Sequence, residues 1–296
     1  MLKQYWNSRF LKTFENALVL KSICQVGVCP RQTGTTVHWL RLNNLPNAPS
    51  SITEGTDPSA QTGSTTDVSG TLTQYGDSMK LSDVYLGTAI GGTWEQTLDR
   101  LAYQAAKKID DVIGAAAYVD QAATMQYADG LVARNSIPQS TTTYLTVEEV
   151  RKAVRTLEKF GAPTFNDGFY RGVTRTETKY DIQGDSNWQD FVKYRDTVKP
   201  DIKNEIGEIW NVRWMQSQNI PVHDNSGSAS ANLYGVLVTS PEFMGISELY
   251  DIETIVKNPS PASSLNLYST AGWKAMFLAR ALSQSGAVQI LCSQSS

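Results

Sequence analysis

The sequence predicts an α+β protein whose strands are mostly antiparallel. Residues 93–119 carry apolar side chains at helical spacing. Strand-like segments flank a long polar segment between residues 43 and 66, and more strand-like segments follow from residue 205 to the C-terminus. Because these strands do not alternate regularly with helices, a parallel sheet built from repeated βαβ units is not expected.

The segment from Thr93 to Val119 is predicted to be a long amphipathic helix around which the other elements are arranged. Its apolar residues recur every three or four positions, and they are Trp94, Leu98, Leu101, Ala105, Ile109, Val112, Ala116 and Val119. This spacing places them on one buried stripe. At ~1.5 Å per residue the helix is about 40 Å long. Gly114 costs roughly 1 kcal/mol relative to Ala, so a slight weakness is expected there.

The N-terminal residues are predicted to form a shorter amphipathic helix. Between Lys3 and Leu20, the aromatic residues Trp6, Phe10 and Phe14 recur at helical spacing. Such an aromatic face needs a surface to pack on. Packing within its own domain and packing on a neighbouring subunit are both compatible with the pattern.

Two predicted strands, Thr35–Leu42 and Asp67–Leu81, flank a segment composed almost entirely of small and polar residues. A structureless loop of this length is unusual inside a compact domain, so the segment is either a flexible linker or the tip of an extended hairpin arm. The flanking strands favour the arm. Because an isolated two-stranded hairpin is only marginally stable in water, such an arm requires an external surface to rest on.

The pattern therefore indicates a chain that associates with a partner. The residues expected to contribute to a subunit interface lie in the N-terminal helix and in the arm. They are Trp6, Phe10, Phe14, Ile52, Glu54, Val68, Leu72 and Tyr75.

A second helix is marked by a capping box at Thr146 and Glu149 and by a stop at Gly161. A strand is expected at 169–173, and another helix start at Thr174 with Glu177. A single strand is expected to place Trp210, Val212 and Trp214 on one face. Further strands are expected at 233–239, 252–257, 273–282 and 287–293, the last two being joined by a Ser-Gln-Ser-Gly turn.

Composition excludes several classes of function. The formal net charge is −3, from 26 basic and 29 acidic side chains, and no dense Lys/Arg block is present. Capture of nucleic acid by phosphate neutralisation is therefore not expected. Three cysteines are sparse enough to indicate a reducing compartment, although a bridge between Cys24 and Cys29 stays open as an alternative. No signal peptide or membrane span is predicted, and no role at a membrane is expected.

Catalytic and metal-binding patterns are weak. Gly-Asp-Ser occurs at residues 76–78 and 184–186, but His38 and His223 lack the aspartate three positions earlier that the corresponding esterase class uses. Both runs are interpreted as turns. The pairs Asp110–Asp111 and Glu148–Glu149 are interpreted as solvated helix faces. No catalytic residue, cofactor or metal site is predicted.

The succession of segments resembles a known family of structural proteins. The segments are SSITEGTDPS, LTQYGDSMKLSDV, LTVEEVRKAVRTLEKFGAPTF, EIGEIWNVRWMQSQN, NLYGVLVTSPEFMGI and AGWKAMFLARALSQSGAVQILC. In this order they resemble the Hong-Kong-97-type capsid fold, and more narrowly the major capsid proteins of the phage N-four group of tailed bacteriophages. The resemblance covers nearly the whole chain.

The resemblance implies a domain organisation. Residues 1–34 would form an N-terminal arm, and residues 35–81 an extended hairpin that overlaps the adjacent subunit. Residues 82–130 and 250–296 would form a peripheral domain with the spine helix at 93–119. Residues 131–249 would form an axial domain around the centre of each capsomer.

The resemblance also implies a non-enzymatic major capsid protein. Copies would assemble in the host cytoplasm into hexamers and pentamers of an icosahedral virion capsid. The shell would enclose double-stranded DNA without reading its sequence, and portal, scaffolding or decoration proteins would be further partners. Two alternatives stay open: an encapsulin-like compartment that holds a cargo enzyme, and a soluble hydrolase of the Gly-Asp-Ser type.

Overall fold

The computed structural model describes residues 2–295, apart from 31, 33, 44, 46–50, 53, 58–59, 89–92, 120–121, 190–204, 258–259 and 262–263. The helices of these residues are α1 Leu2–Ala17, α2 Asp83–Thr88, α3 Thr93–Ala117, α4 Val147–Phe160 and α5 Thr176–Gly184. The strands are β1 Cys24–Val28, β2 Thr36–Leu42, β3 Thr65–Thr71, β4 Thr73–Ser82, β5 Thr124–Tyr127, β6 Tyr170–Thr174, β7 Glu205–Ile209, β8 Val212–Gln216, β9 Val222–His223, β10 Leu233–Thr239, β11 Met244–Lys257, β12 Tyr268–Ala281 and β13 Ala287–Cys292.

The described strands form three sheets. A four-stranded sheet has the order β1-β11-β12-β4, and a seven-stranded sheet has the order β5-β13-β10-β6-β8-β7 with β9 beside β10. Strands β2 and β3 form a separate antiparallel hairpin. Most pairs are antiparallel, as the sequence predicts, but β1–β11, β5–β13 and β6–β8 are parallel.

The spine helix α3 confirms the predicted long helix and lies against the four-stranded sheet. Strand β12 alternates along its length, and its buried face places Trp273, Ala275 and Phe277 in one core with the apolar stripe of α3. Helix α1 packs along α3 and joins the same core. In the part of the chain that is described, no helix has both the length and the apolar character needed to span a membrane.

Helix α4 covers one face of the seven-stranded sheet and confirms Thr146 as its N-cap and Gly161 as its stop, while the reciprocal bond from Glu149 that would complete the capping box is not formed. The Thr146 hydroxyl accepts a hydrogen bond from the Glu149 backbone N–H at 3.4 Å. Gly161 closes the helix with a φ of 69°, a left-handed conformation that glycine adopts without steric cost. The central strand β10 is buried along its full length between α4 and the core around α3.

The predicted single strand around Trp210 is wrong, because the chain forms a hairpin there. Strands β7 and β8 pair in antiparallel fashion, and Trp210 and Asn211 form the turn between them with φ values of 49° and 65°. Trp210 is half-exposed at this turn, whereas Trp214 on β8 is buried. The two tryptophans therefore do not share a face.

The predicted strand 67–81 is divided at Leu72 into β3 and β4, which belong to different sheets. The last two strands also lie in different sheets, since β12 belongs to the four-stranded sheet and β13 to the seven-stranded one. Strands β5 and β13, expected in the peripheral domain, thus belong to the sheet of the expected axial domain. Helix α5 begins at Thr176 rather than after Thr174, because Thr174 is still part of β6.

The three cysteines are free thiols. Cys24 and Cys29 lie at opposite ends of β1, which at ~3.3 Å per residue holds them about 16 Å apart. A disulfide needs Cα atoms within about 7 Å of each other, so this pair cannot form while β1 is paired. Burial raises the pKa of the Cys24 thiol to about 12, which keeps it protonated.

A glycine occupies position 114 because other parts of the chain approach the spine helix closely there, so it does not mark a weak point of the helix. A Cβ atom at this position would lie 3.0 Å from the Asn219 carbonyl oxygen and 3.4 Å from Cδ1 of Leu20. The missing side chain lets the N-terminal segment and the loop after β8 both reach the helix.

We therefore predict that Gly114→Ala lowers the free energy of unfolding by about 1 kcal/mol. Alanine favours a helix by roughly 1 kcal/mol, but overpacking against a fixed backbone atom costs about 1–3 kcal/mol. Urea unfolding measures the difference. Gly87→Ala in α2 is the control, because no atom lies within 4 Å of its Cβ position. A Gly114→Ala protein as stable as the parent would contradict the close approach.

Candidate assembly surface

The hairpin formed by β2 and β3, called here the arm, has one partly buried face and one exposed face. Val37 and Trp39 are partly covered, whereas the alternate residues Leu40 and Leu42 are 74% and 78% exposed. Asp67 on β3 pairs with His38 on this exposed side, with 2.8 Å between Oδ2 and Nδ1. Exposed leucines on a two-stranded hairpin constitute an apolar surface that the chain itself leaves open.

The base of the arm is fixed to its own chain. Gly70 lies so close to β12 that a Cβ atom would come within 2.7 Å of the Leu278 side chain. The Arg41 guanidinium donates a hydrogen bond to the Ser283 hydroxyl. The Leu72 backbone N–H donates to the Thr35 carbonyl at 2.8 Å, which closes the hairpin at its root. The paired strands are therefore anchored on their own chain at the root, through Gly70 and Leu72, and also near the outer end of β2, through Arg41. Leu40 and Leu42 stay exposed between and beyond these contacts.

A cavity of about 630 Å³ lies between the arm and the body. Phe160 and Leu282 line it from the body, and residues of both faces of the arm border it, namely Trp39, Val68, Leu40 and Leu42. Phe160, at the end of α4, is half-exposed. Apart from the contacts of Gly70 and Arg41, the cavity separates the arm from the body, and no residue of β2 or β3 belongs to the main core.

Five of the predicted interface residues belong to the arm and to the strand that follows it. Ile52 is 77% exposed and Glu54 is also exposed, so both are available to a neighbouring molecule. Val68 is partly buried over the cavity. Leu72, at the root of the arm, is 5% exposed and presents little surface to a partner.

Tyr75 is also turned toward its own chain. Its ring lies 5.1 Å from the ring of Phe277, measured between centroids, and Nζ of Lys108 lies 5.2 Å from the Tyr75 centroid. The side chain is only partly exposed. Tyr75 therefore fixes β4 to the spine helix and to β12, which leaves little of its surface for a partner.

The aromatic face of α1 packs inside the chain. Phe10 and Phe14 are 1% and 5% exposed, and their rings stack with centroids 6.2 Å apart in the core around α3. Trp6 lies in α1, but its side chain is outside the described residues. Of the two packing modes open from the sequence, the structure shows the one within the same chain.

Ion pairs fix α1 to α3 beside this aromatic contact. The Arg9 guanidinium donates to both carboxylate oxygens of Asp99, at 3.1 and 2.8 Å, and to Glu95 at 2.7 Å. The Thr13 hydroxyl also donates to Asp99, at 3.2 Å. The hydrogen bonds from Arg9 are the largest influence on Asp99 and hold the pKa of its carboxyl below the ordinary value.

A second open surface lies at the edge of the four-stranded sheet, and the sequence did not indicate it. Strand β1 pairs only with β11 in the described structure, and Val26 and Val28 on it are 54% and 81% exposed. An unpaired strand edge with apolar side chains can accept a further strand. The only available signal was the alternation of valines at 26 and 28 in a short segment.

Only one member of each acidic pair is solvated as predicted, because the other is buried. Asp110 has no exposed surface, and Glu149 is 5% exposed. Glu149 accepts from Gln126 and Lys152 at 2.7 and 2.8 Å, so it joins β5 to α4. Asp110 accepts from two backbone N–H groups of the N-terminal segment. In both pairs one carboxylate has a structural role inside the chain.

The Gly-Asp-Ser runs have structural roles as well. Residues 76–78 lie within β4, not in a turn, and the Asp77 carboxylate accepts from Gln104 at 2.6 Å. Residues 184–186 follow α5, and the Asp185 carboxylate accepts from the Val147 backbone N–H at 2.9 Å, at the start of α4. Within the described residues, no group of three or more His, Cys, Asp and Glu side chains could hold a metal ion.

Three features together define the Hong-Kong-97-type fold of tailed-phage capsid proteins. They are an arm that extends from paired strands, a spine helix that lies on a four-stranded sheet, and a larger second sheet. Solved structures with this arrangement include phage capsids. The fold class predicted from the sequence is thereby confirmed.

The Ralstonia phage GP4 capsid matches with a TM-score of 0.77 at 11% identity, over 96% of this chain and 91% of that one. The capsid of cyanophage P-SCSP1u matches with a TM-score of 0.67 at 11% identity, over 94% and 89%. A virus-like particle from Pyrococcus furiosus matches with a TM-score of 0.57 at 8% identity, over 96% of both chains. No protein-family model and no curated protein matches the sequence. At these identities the similarity establishes the fold.

We predict that Phe10→Ala lowers the free energy of unfolding of the unassembled chain by about 3–5 kcal/mol, because it opens a cavity in the core. Urea unfolding monitored by circular dichroism measures this change. Leu40→Ala on the exposed face of the arm is the control and should change stability by less than about 0.5 kcal/mol. If both substitutions left stability unchanged, the packing of α1 on α3 within one chain would be contradicted.

Proposed function

We propose that this chain is a structural, non-enzymatic major capsid protein whose work is self-assembly into a closed shell. The fold shared with phage capsids over more than nine-tenths of the chain supports this proposal. The observation that carries it is the arm, which is fixed at its base and presents Leu40 and Leu42 to solvent at 74% and 78% exposure. A single copy leaves this apolar surface uncovered, and a second copy can cover it.

In this proposal the arm of one subunit lies over the body of the next. Between residues 43 and 64 the sequence has two acidic side chains, Glu54 and Asp57, and no Lys or Arg. The exposed face of α3 presents Arg100, Lys107 and Lys108. Contact between this acidic tip and the exposed basic side chains on α3 of the neighbouring copy orients the interface, while the leucines supply its apolar area.

The proposed subunits form hexamers and pentamers of an icosahedral head around double-stranded DNA. A formal charge of −3 fits a lining that confines DNA without binding it through dense phosphate contacts. Portal, scaffolding or decoration proteins are the expected further partners, and assembly takes place in the host cytoplasm. The narrower assignment to the phage N-four group rests on the sequence segments.

A second candidate function is a protein compartment that encloses an enzyme instead of a genome. The subunit of a virus-like particle from Pyrococcus furiosus has the same fold over 96% of this chain. The fold therefore supports this second candidate as well. Both candidates require a shell and differ in what the shell contains.

We predict that deleting residues 45–62 leaves a folded protein that does not close shells. The deletion keeps β2 and β3 joined through residues 43, 44, 63 and 64, which are Asn, Asn, Gly and Ser and suit a turn. Circular dichroism should match that of the parent, and electron microscopy should show no closed particles.

The matched control replaces residues 45–62 with a Gly-Ser segment of the same length. It tests whether the length of the segment is enough for assembly or whether its side-chain contacts are needed. We expect this control to fold and also to fail in assembly. Shells of normal diameter from the shortened protein would contradict the proposed role of the arm.

We predict that particles from the natural source protect double-stranded DNA from nuclease. Treating intact and disrupted particles in parallel tests this, since only the disrupted ones should lose their DNA. Recovery of a single enclosed protein and no DNA would instead support the compartment function. A stable monomer in size-exclusion chromatography would exclude both shell functions.

A further inference from the structure

An open groove runs beside the first half of the spine helix. It lies between β4, α2 and the exposed side of α3, has a volume of about 700 Å³, and is lined among others by Met79, Tyr85, Gln96 and Arg100. A second hollow of about 540 Å³ continues it along α3, shares Gln96 and Arg100, and reaches Tyr103. The two hollows together are called here the helix groove.

The helix groove combines exposed apolar and aromatic side chains with cations. Met79, Tyr85 and Tyr103 are 38%, 51% and 61% exposed. Arg100, and Lys107 further along α3, are also exposed, and within the described part of the chain neither has an ion-pair partner. Methionine, tyrosine and arginine are enriched where proteins bind one another. The chemistry of the groove therefore suits a peptide segment that is both apolar and acidic.

The arm tip, residues 43–64, carries two carboxylates at a spacing that matches the two cations. Arg100 and Lys107 are two helical turns apart, so they lie on the same side of α3 at about 10 Å from each other. Glu54 and Asp57 are both exposed, and at ~3.3 Å per residue they reach up to about 10 Å apart. Each carboxylate can therefore meet one cation at the same time.

An exposed isoleucine continues this match. Ile52 precedes Glu54 by two positions and is 77% exposed. Once the two carboxylates lie on the two cations, the direction of the chain carries Ile52 toward the start of α3. Met79 and Tyr85 line the groove there. Burial of the isoleucine against these side chains removes apolar surface from water on both partners.

The arm of a chain runs away from that chain's own helix groove. Beside the groove, Lys80 pairs with Thr270 near the start of β12. The root of the arm lies against Leu278, about 26 Å further along the strand. Near the outer end of the arm, Arg41 bonds to Ser283, beyond the end of β12. The arm tip that matches the groove therefore comes from another copy.

We propose that the helix groove of one copy binds the arm tip of the next. Glu54 pairs with Arg100, Asp57 pairs with Lys107, and Ile52 packs at the other end of the groove. This inference rests on the proposed shell function and names the site that receives the arm. Because the contact joins two different surfaces, it is heterologous, and its repetition from copy to copy closes a ring when the rotation between copies is a whole fraction of a turn.

Charge exchange in the full chain tests the pairing. Glu54→Arg and Arg100→Glu should each lower the number of closed particles, counted by electron microscopy, about tenfold, because each places like charges at the contact. The double variant restores an opposite-charge pair and should return the number to within about twofold of the parent. Glu54→Arg combined with Arg155→Glu is the matched control. It reverses an exposed charge on α4 instead and should not recover.

Cysteine cross-linking detects the contact whether or not shells close. Ile52→Cys and Tyr85→Cys are combined in a chain that carries Cys29→Ser, because Cys29 is a partly exposed thiol. A short bismaleimide should produce a ladder of covalent oligomers on denaturing gels. The control combines Ile52→Cys with Tyr180→Cys, which is exposed on α5 away from the groove, and should remain monomeric on the gel.

The two experiments distinguish this inference from the proposed function. Cross-linked oligomers without closed particles would support the groove contact and overturn the shell function. Closed particles with neither charge recovery nor cross-links would overturn the groove contact and leave the shell function intact. Absence of both particles and cross-links would overturn both.

Discussion

The burial of the apolar stripe of α3 is the interaction on which the rest of the structure depends. The stripe meets Trp273, Ala275 and Phe277 of the four-stranded sheet, and helix α1 adds its aromatic residues to the same core. Burying side chains of this size is worth roughly 1.5–3 kcal/mol each. The helix therefore fixes the positions of the N-terminal segment, of the sheet and of the loop around Asn219 relative to one another.

The arm is the part of the molecule that this core does not stabilise. Its root is held at Gly70 and Leu72, but Leu40 and Leu42 remain exposed, and a hairpin with an open apolar face gains little from its own two strands. The chain thus combines a well-packed body with an arm that, in the proposed function, is stabilised by contact with another copy. The open edge of β1, with Val26 and Val28, is a second surface of the same kind.

The sequence predicted the elements that depend on local signals. Helix α3 follows from its periodicity, and α4 from Thr146 at its start and Gly161 at its end, because these signals act within a few residues. The turn at Trp210 and Asn211 was missed because neither residue is a glycine, although both adopt positive φ. The sheet to which β13 belongs could not be predicted, since strand pairing depends on contacts far apart in the sequence.

The residues of the candidate assembly surface could be predicted only in part, because the sequence pattern does not show which chain a residue packs against. A helical aromatic face has the same spacing whether it packs on its own chain or on another, so Phe10 and Phe14 could not be assigned from their pattern. Asp110 could not be distinguished from Asp111 by sequence, because its burial results from the N-terminal segment crossing the helix. Exposure of Ile52 and Glu54 agrees with the polar composition around them.

The central claim is that the arm finds its complete set of contacts only on another copy of the chain. A cryo-electron microscopy map of the assembled protein tests it most directly. The account predicts a closed shell in which Leu40 and Leu42 of each arm are buried against the neighbouring subunit. A shell in which both leucines face solvent, or a protein that remains monomeric at every concentration tested, would contradict it.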